Sequence, residues 1–305
     1  MKKILLSAAS LAILSGSALA ADLPSRKEAV VAPVVAPLWQ GFYAGLNAGY
    51  GFGTANNAQH YGWANGNPGT FNTSGVNGSV QQAAFAGANS YLGRNIDQGG
   101  FIGGGQVGYN YQYGQSFLLG FEADMQGSGI NGQGNTNGWA PFSNADAYLT
   151  TGVVQAGINW MGTARGRIGY LITPTVLTYA TGGLAYGGTY VKTFNNGFAT
   201  STTGTGQAIA GINTNNSQQN FNVGWTAGAG AEWMMAPNWS IKGETLYYDL
   251  GNTTVSNTSF NGTAGTAGIN PLCGSTTRAY YQGVIARAGV NYHFNLSSMP
   301  VVAKF

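Results

Sequence analysis

Charge is scarce in this sequence. Asp, Glu, Lys and Arg together make up 7% of its 305 residues, where ordinary soluble domains carry about 25%. A surface this poor in charge is not built to meet water on every side. Long apolar runs are scarce as well. Beyond residue 20 no segment sustains the roughly 20 apolar residues that a membrane-crossing helix needs, which excludes helical spans. A closed barrel is the remaining way to cross a bilayer, because its strands satisfy one another's backbone groups. The single cysteine, Cys273, excludes an internal disulfide, and no catalytic motif surrounds it. Basic patches are missing too, so nucleic acid is not an expected partner.

What is present begins with a leader. Met1, Lys2 and Lys3 precede an apolar stretch from Ile4 to Leu14 and then Ala18-Leu19-Ala20 before Ala21-Asp22. A positive start, a short apolar core and an A-x-A site read as a cleaved secretory signal over 1–20. Without Lys2 and Lys3, the twelve basic residues become ten against nine acidic ones, so the mature chain is nearly neutral. Residues 21–38 are rich in Pro and Ala without a lasting period and read as a periplasmic linker. The 50 glycines would suit disorder, but an aromatic content of 12% argues for strands and turns.

From Trp39 onward, apolar residues alternate with polar or small ones in eight segments: 39–53, 99–112, 116–127, 158–171, 175–189, 221–235, 239–250 and 281–294. Repeated alternation of this kind is the signature of a transmembrane β-barrel. In the first segment Phe42, Ala44, Leu46, Ala48 and Tyr50 share one face, and Tyr43, Gly45, Asn47 and Gly49 the other. The third puts Phe117, Leu119, Phe121, Ala123 and Met125 outward and Glu122, Asp124 and Gln126 inward. Arg165 and Arg167 face inward in the fourth, Glu232 in the sixth, Lys242 and Glu244 in the seventh, Arg287, Asn291 and His293 in the last. A soluble sandwich also alternates. It would, however, present charged rather than Gly-rich neutral faces to water.

Three connections are three residues long (113–115, 172–174 and 236–238), and four are long (54–98, 128–157, 190–220 and 251–280). Strict alternation of short and long predicts short periplasmic turns, long extracellular loops and both termini in the periplasm. Trp39, Trp160, Trp233, Trp239, Tyr247 and Tyr292 lie near segment ends, where interfacial aromatic girdles belong.

AADLPSRK at 20–27, WQGFYAGLNAGYGFG at 39–53, FIGGGQVGYNYQ at 101–112, LTYATGGLAYG at 177–187 and ARAGVNYHF at 286–294 resemble one family. It is that of the small alphaproteobacterial outer-membrane proteins related to the OmpA barrel, which includes surface antigens and hemin-binding proteins. The likeness covers 20–294. It implies an all-β fold, an eight-stranded antiparallel transmembrane barrel over 39–294. It also implies outer-membrane lipid and lipopolysaccharide as surroundings, and handling by the barrel-assembly machinery through the aromatic end of the last strand, Tyr292 and Phe294. Members usually end at that Phe, whereas here residues 295–305 follow as an extension, so Phe294 and Phe305 compete for this role.

The inward charges balance: Glu122, Asp124, Glu232 and Glu244 against Arg165, Arg167, Lys242 and Arg287. A selectivity ring favours one sign, so balance points to a structural network linked by Asn47, Gln106, Asn110 and Asn291. Glu232 and Lys242 are equidistant from Pro237 and are expected as direct cross-strand neighbours. His60 falls in the first long loop and is expected to be solvated, with a hemin or metal contact as the alternative. The glycines at 103–105 and 182–183 precede no helix and read as sites of tight curvature, not phosphate loops. No cofactor or metal site is expected. The sequence thus predicts a non-catalytic outer-membrane barrel serving membrane structure and surface interaction. A small passive porin, or a surface protein binding hemin or another extracellular ligand, is the alternative.

Overall fold

The computed structural model describes residues 38–54, 58–64, 91–94, 96–141, 147–200, 212–260 and 272–294. The expected signal 1–20, nearly all of the linker and the extension 295–305 lie outside the described residues, as do parts of the four long connections. None of the described residues is helical.

Among the described residues ten strands form one antiparallel sheet: β1 (Gly41–Gly53), β2 (Ala58–Ala64), β3 (Tyr91–Arg94), β4 (Gly99–Tyr113), β5 (Phe117–Pro141), β6 (Ala147–Thr173), β7 (Val176–Thr200), β8 (Ile212–Ala236), β9 (Trp239–Phe260) and β10 (Leu272–Phe294). The order is β1-β4-β5-β6-β7-β8-β9-β10-β2-β3, and β1 also pairs with β10. Strands β1 and β4 to β10 therefore close a ring. Beyond the end of β1, strand β2 takes over as partner of β10, pairing Ala58–Ala64 with residues 273–279. The two additional strands correct the expectation that 54–98 is only a loop.

The other long connections need a similar correction. Strands β5 to β10 run for 22 to 27 residues, far beyond the 12 to 15 expected, and take in most of 128–157, 190–220 and 251–280. These extensions are rich in Asn, Thr, Ser and Gly. Having no apolar face to bury against lipid, they carry no alternating signal, although Thr favours strands. The short turns come out close to expectation, at 114–116, 174–175 and 237–238. Asn238 takes a left-handed φ of 69°, which Asn tolerates better than most residues. Its amide donates to the His293 carbonyl at 2.6 Å, tying the turn to the last strand.

Side chains alternate across the wall as strand geometry requires. Phe42, Leu46, Phe117, Leu119, Phe121, Ile168, Leu184, Val223 and Trp225 are exposed outward. Tyr43, Asn47, Leu118, Gln126, Tyr179 and Asn291 are buried inward. Aromatic contacts collect at two levels. Phe42 meets Tyr109, Phe117 meets Tyr170, and Trp239, Tyr292 and Phe294 meet in sequence near the short turns. Tyr50 meets Phe101, and Trp160 meets Tyr186 and Phe221, toward the opposite end. Trp39 departs from the girdle expected of it. It is wholly buried and donates its indole N–H to the Pro174 carbonyl at 2.9 Å, inside the barrel's turn end.

Neighbouring backbones in so narrow a ring leave little room. A Cβ on Gly104 would fall on the Met125 carbonyl oxygen, so this lumen-facing position admits no larger residue without movement.

Candidate functional site

The lumen is stacked in storeys. At the turn end Trp39, Leu118, Leu171, Leu177, Tyr179 and Met234 form an apolar cluster. Further along, another is built by Ile102, Ile130, Ile158, Met161, Leu246, Tyr248, Leu250, Tyr281, Ile285 and their neighbours. Between the two lie all eight expected inward charges, none more than 5% exposed.

The register brings them together. Glu122 faces Arg165 across β5 and β6, and Glu244 faces Arg287 across β9 and β10. Arg165 reaches three carboxylates: Glu122, Asp124 at 3.0 Å and Glu244 at 3.1 Å. Arg287 bridges Asp124 at 2.8 Å and Glu244 at 2.6 Å. Lys242 crosses the lumen to Glu122 at 2.8 Å and also meets Glu244 at 3.1 Å. Glu232 and Lys242 are direct cross-strand register partners, as expected, while their ion pairs reach other strands. Glu232 meets Arg167 at 2.9 Å, with Ser240 donating at 2.5 Å and Asn291 at 2.6 Å. The barrel is narrow enough that the best-oriented opposite charge sits across it rather than beside it.

Tyrosines join the two halves of this network. Arg167 donates to the Tyr43 hydroxyl at 2.9 Å, and Tyr43 donates to Glu122 at 2.7 Å. The Arg167 guanidinium also lies over the Tyr179 ring, 4.0 Å from its centroid. Asn47 donates to Gln106 at 2.9 Å, and Gln106 to Asn291 at 2.5 Å, continuing to Glu232. Asn110 is buried but finds no hydrogen-bond partner among the described residues, so it does not link ion pairs as expected. His293 lies 2.9 Å from the Ser240 hydroxyl and 3.4 Å from Glu232, with its ring near Trp39 and Tyr43.

The connecting roles of Tyr43, Tyr179 and Ser240 were not foreseen, nor was the far apolar storey. A signal for that storey existed: Leu246, Tyr248 and Leu250 continue the phase of Lys242 and Glu244 along β9. His60 requires a further correction. It sits on β2, buried, with Nδ1 at 2.7 Å from the Thr277 hydroxyl, and is not a solvated loop residue. Among the described residues no group of three or more His, Cys, Asp or Glu side chains is placed to hold a metal ion. Chemically, the charge storey is a cross-brace. Each carboxylate has a cationic partner, and the apolar storeys on either side keep water from competing.

No family model matches the chain. Among solved structures, the outer membrane protein OprG from Pseudomonas aeruginosa aligns with 84% of this chain and 97% of its own at 9% identity, with a TM-score of 0.35. Sequence relatives are more informative. The 22 kDa outer membrane protein of Rhizobium leguminosarum bv. viciae is 30% identical over 48% of this chain and 52% of its own. The 25 kDa outer-membrane immunogenic protein of Brucella abortus is 29% identical over 84% of this chain and 92% of its own. The 31 kDa outer-membrane immunogenic protein of Brucella melitensis is 34% identical over 255 residues, 82% of this chain and 88% of its own. With that identity over 82% of its length, the chain belongs to the family of small alphaproteobacterial outer-membrane barrel proteins that includes the Brucella outer-membrane immunogenic proteins.

Proposed function

We propose that this protein is a non-catalytic, occluded transmembrane barrel that braces the outer membrane and presents its long connections at the cell surface. The observation that carries this reading is the filled lumen: a balanced network of eight buried charges closed on both sides by apolar clusters. A ring of about eight strands encloses a space that side chains can fill, unlike the 16 to 18 strands of water-filled porins. Recordings from purified protein in planar lipid bilayers test it. Rare, small or no openings are expected; frequent, large and stable openings would replace this reading with a passive pore.

In this reading the outward apolar band meets lipid and lipopolysaccharide, the three short turns and both termini face the periplasm, and the segment 54–98 faces outside. Protease added to intact cells should nick 54–98, and cleavage seen only in permeabilised cells would reverse the orientation. The assembly machinery would engage the outward aromatics Tyr292 and Phe294 at the end of β10. A chain truncated after Phe294 should then still insert, and its failure would transfer that role to the extension.

A further inference from the structure

The wall is not hydrogen-bonded along its full height. Strands β8 and β9 pair from the turn at 237–238 up to Trp225 opposite Asp249. Beyond that level β8 keeps β7 as its partner as far as Ile212, and β9 keeps β10 as far as Phe260. No backbone rung joins β8 to β9 there among the described residues. The split starts at an irregularity. Asp249 accepts the Gly251 N–H at 2.8 Å, Gly251 has φ of 76°, and the β9 to β10 register shifts opposite it. Bulges of this kind bend a strand away from its neighbour. A Cβ added at Gly251 would meet nothing within 4 Å.

Three asparagines of β8 replace the missing ladder. Asn222 donates to the Leu250 carbonyl at 3.0 Å, Asn220 to the Thr253 hydroxyl at 3.3 Å and Asn216 to the Ser256 carbonyl at 3.3 Å. Side-chain rungs release by rotamer change, whereas a backbone ladder releases only when the strand moves. Free sheet edges are not tolerated against hydrocarbon. The split accordingly begins at the far aromatic girdle, where Trp225 meets Tyr247 and Phe221 meets Trp160 on the outer surface. Leu250 and Val255, on the seam's own strand, belong with Tyr281 to the far apolar storey, and Tyr248 of the same storey lies one step below the split, opposite Thr226. The Tyr248 hydroxyl in that storey is buried and has no hydrogen-bond partner among the described residues.

We propose that the β8 to β9 seam is a lateral passage latched by Asn216, Asn220 and Asn222. Through it a small apolar molecule carrying one hydrogen-bonding group moves between the girdle level of the membrane and the apolar storey of the lumen. Such a molecule would partition first among Phe221, Trp225 and Tyr247. It would enter as the asparagine rungs release and the bend at Gly251 widens, and its polar group would meet the Tyr248 hydroxyl. The passage needs no aqueous pore, because the charge storey beneath stays closed.

The test uses the full chain in lipid vesicles, with Cys273→Ser throughout and folding checked by heat-modifiable gel mobility. Leu250→Cys is the reporter, with Val255→Cys as the second if the first does not fold. N-(1-pyrenyl)maleimide, which enters the bilayer, is compared with a sulfonated, water-confined maleimide. The apolar reagent should label the reporter faster. Asn220→Cys with Thr253→Cys, oxidised across the seam, should lower its rate to that of the charged reagent, and reduction should restore it. A control bridge on the continuously paired wall, Lys192→Cys with Ser217→Cys, should change nothing. Asn222→Ala should raise the apolar rate about fivefold, the worth of one ordinary hydrogen bond. Equal rates for the two reagents, no labelling by either, or no effect of the seam bridge would each overturn the passage. Ion conductance decides the occluded-barrel reading separately, so the two can fail independently.

Discussion

Arg165→Ala removes one of the two guanidiniums that Glu122, Asp124 and Glu244 share, the other being that of Arg287. Four acids then face three bases, Arg167, Lys242 and Arg287. No acid is stripped of cations, however. Glu122 keeps Lys242 at 2.8 Å, Asp124 keeps Arg287 at 2.8 Å, and Glu244 keeps Arg287 at 2.6 Å. Breaking a buried ion pair costs about 3 to 5 kcal/mol, and this redundancy places the expected loss near the lower end, at about 3 kcal/mol. Adding Glu122→Gln restores three acids against three bases. It should recover about 1 kcal/mol, as coupled neighbours do. Urea titration of the folded barrel in lipid, read as loss of the fast-migrating gel band, measures both variants. A loss below about 0.5 kcal/mol, the range of an inconsequential surface change, would refute the cross-brace. So would strict additivity of the two substitutions.

Arg167→Lys should cost about 1 to 2 kcal/mol in the same titration, because an ammonium cannot both stack on Tyr179 and reach Tyr43 and Glu232; wild-type stability would refute this. Trp39→Ala should cost about 3 to 5 kcal/mol by emptying the turn-end cluster, and should let a small thiol reagent reach a cysteine placed at Leu118, which stays protected in the parent. Gly104→Ala should fail to give the fast-migrating band or lower its melting temperature sharply, since its Cβ meets backbone. Gly105→Ala should behave like wild type, because the nearest atom to its Cβ is 3.9 Å away; equal tolerance at the two sites would remove the close-approach explanation.

Alternation along the chain was enough to divide lipid-facing from lumen-facing residues, because a strand's side-chain period is local and a one-residue slip would turn every charge outward. It placed Glu122, Asp124, Arg165, Arg167, Glu232, Lys242, Glu244 and Arg287 inside. The turn at Pro237 likewise made Glu232 and Lys242 register partners, since hairpin pairing follows from chain position. Contacts across the lumen were beyond its reach. That Lys242 meets Glu122, that Arg167 meets Glu232 through the span from β6 to β8, and that Trp39 closes the turn end depend on the closure and width of the ring. Strand length was hidden as well. Above the girdle the outward face is largely polar, so β5 to β10 continue without the outward apolar rhythm that marks them below. The seam between β8 and β9 was hidden for the same reason: an asparagine reads alike in a loop, on a wall and as a rung. Local chemistry therefore determined which side of the wall each residue faces, and only the closed tertiary structure decided which residues meet through the space it encloses.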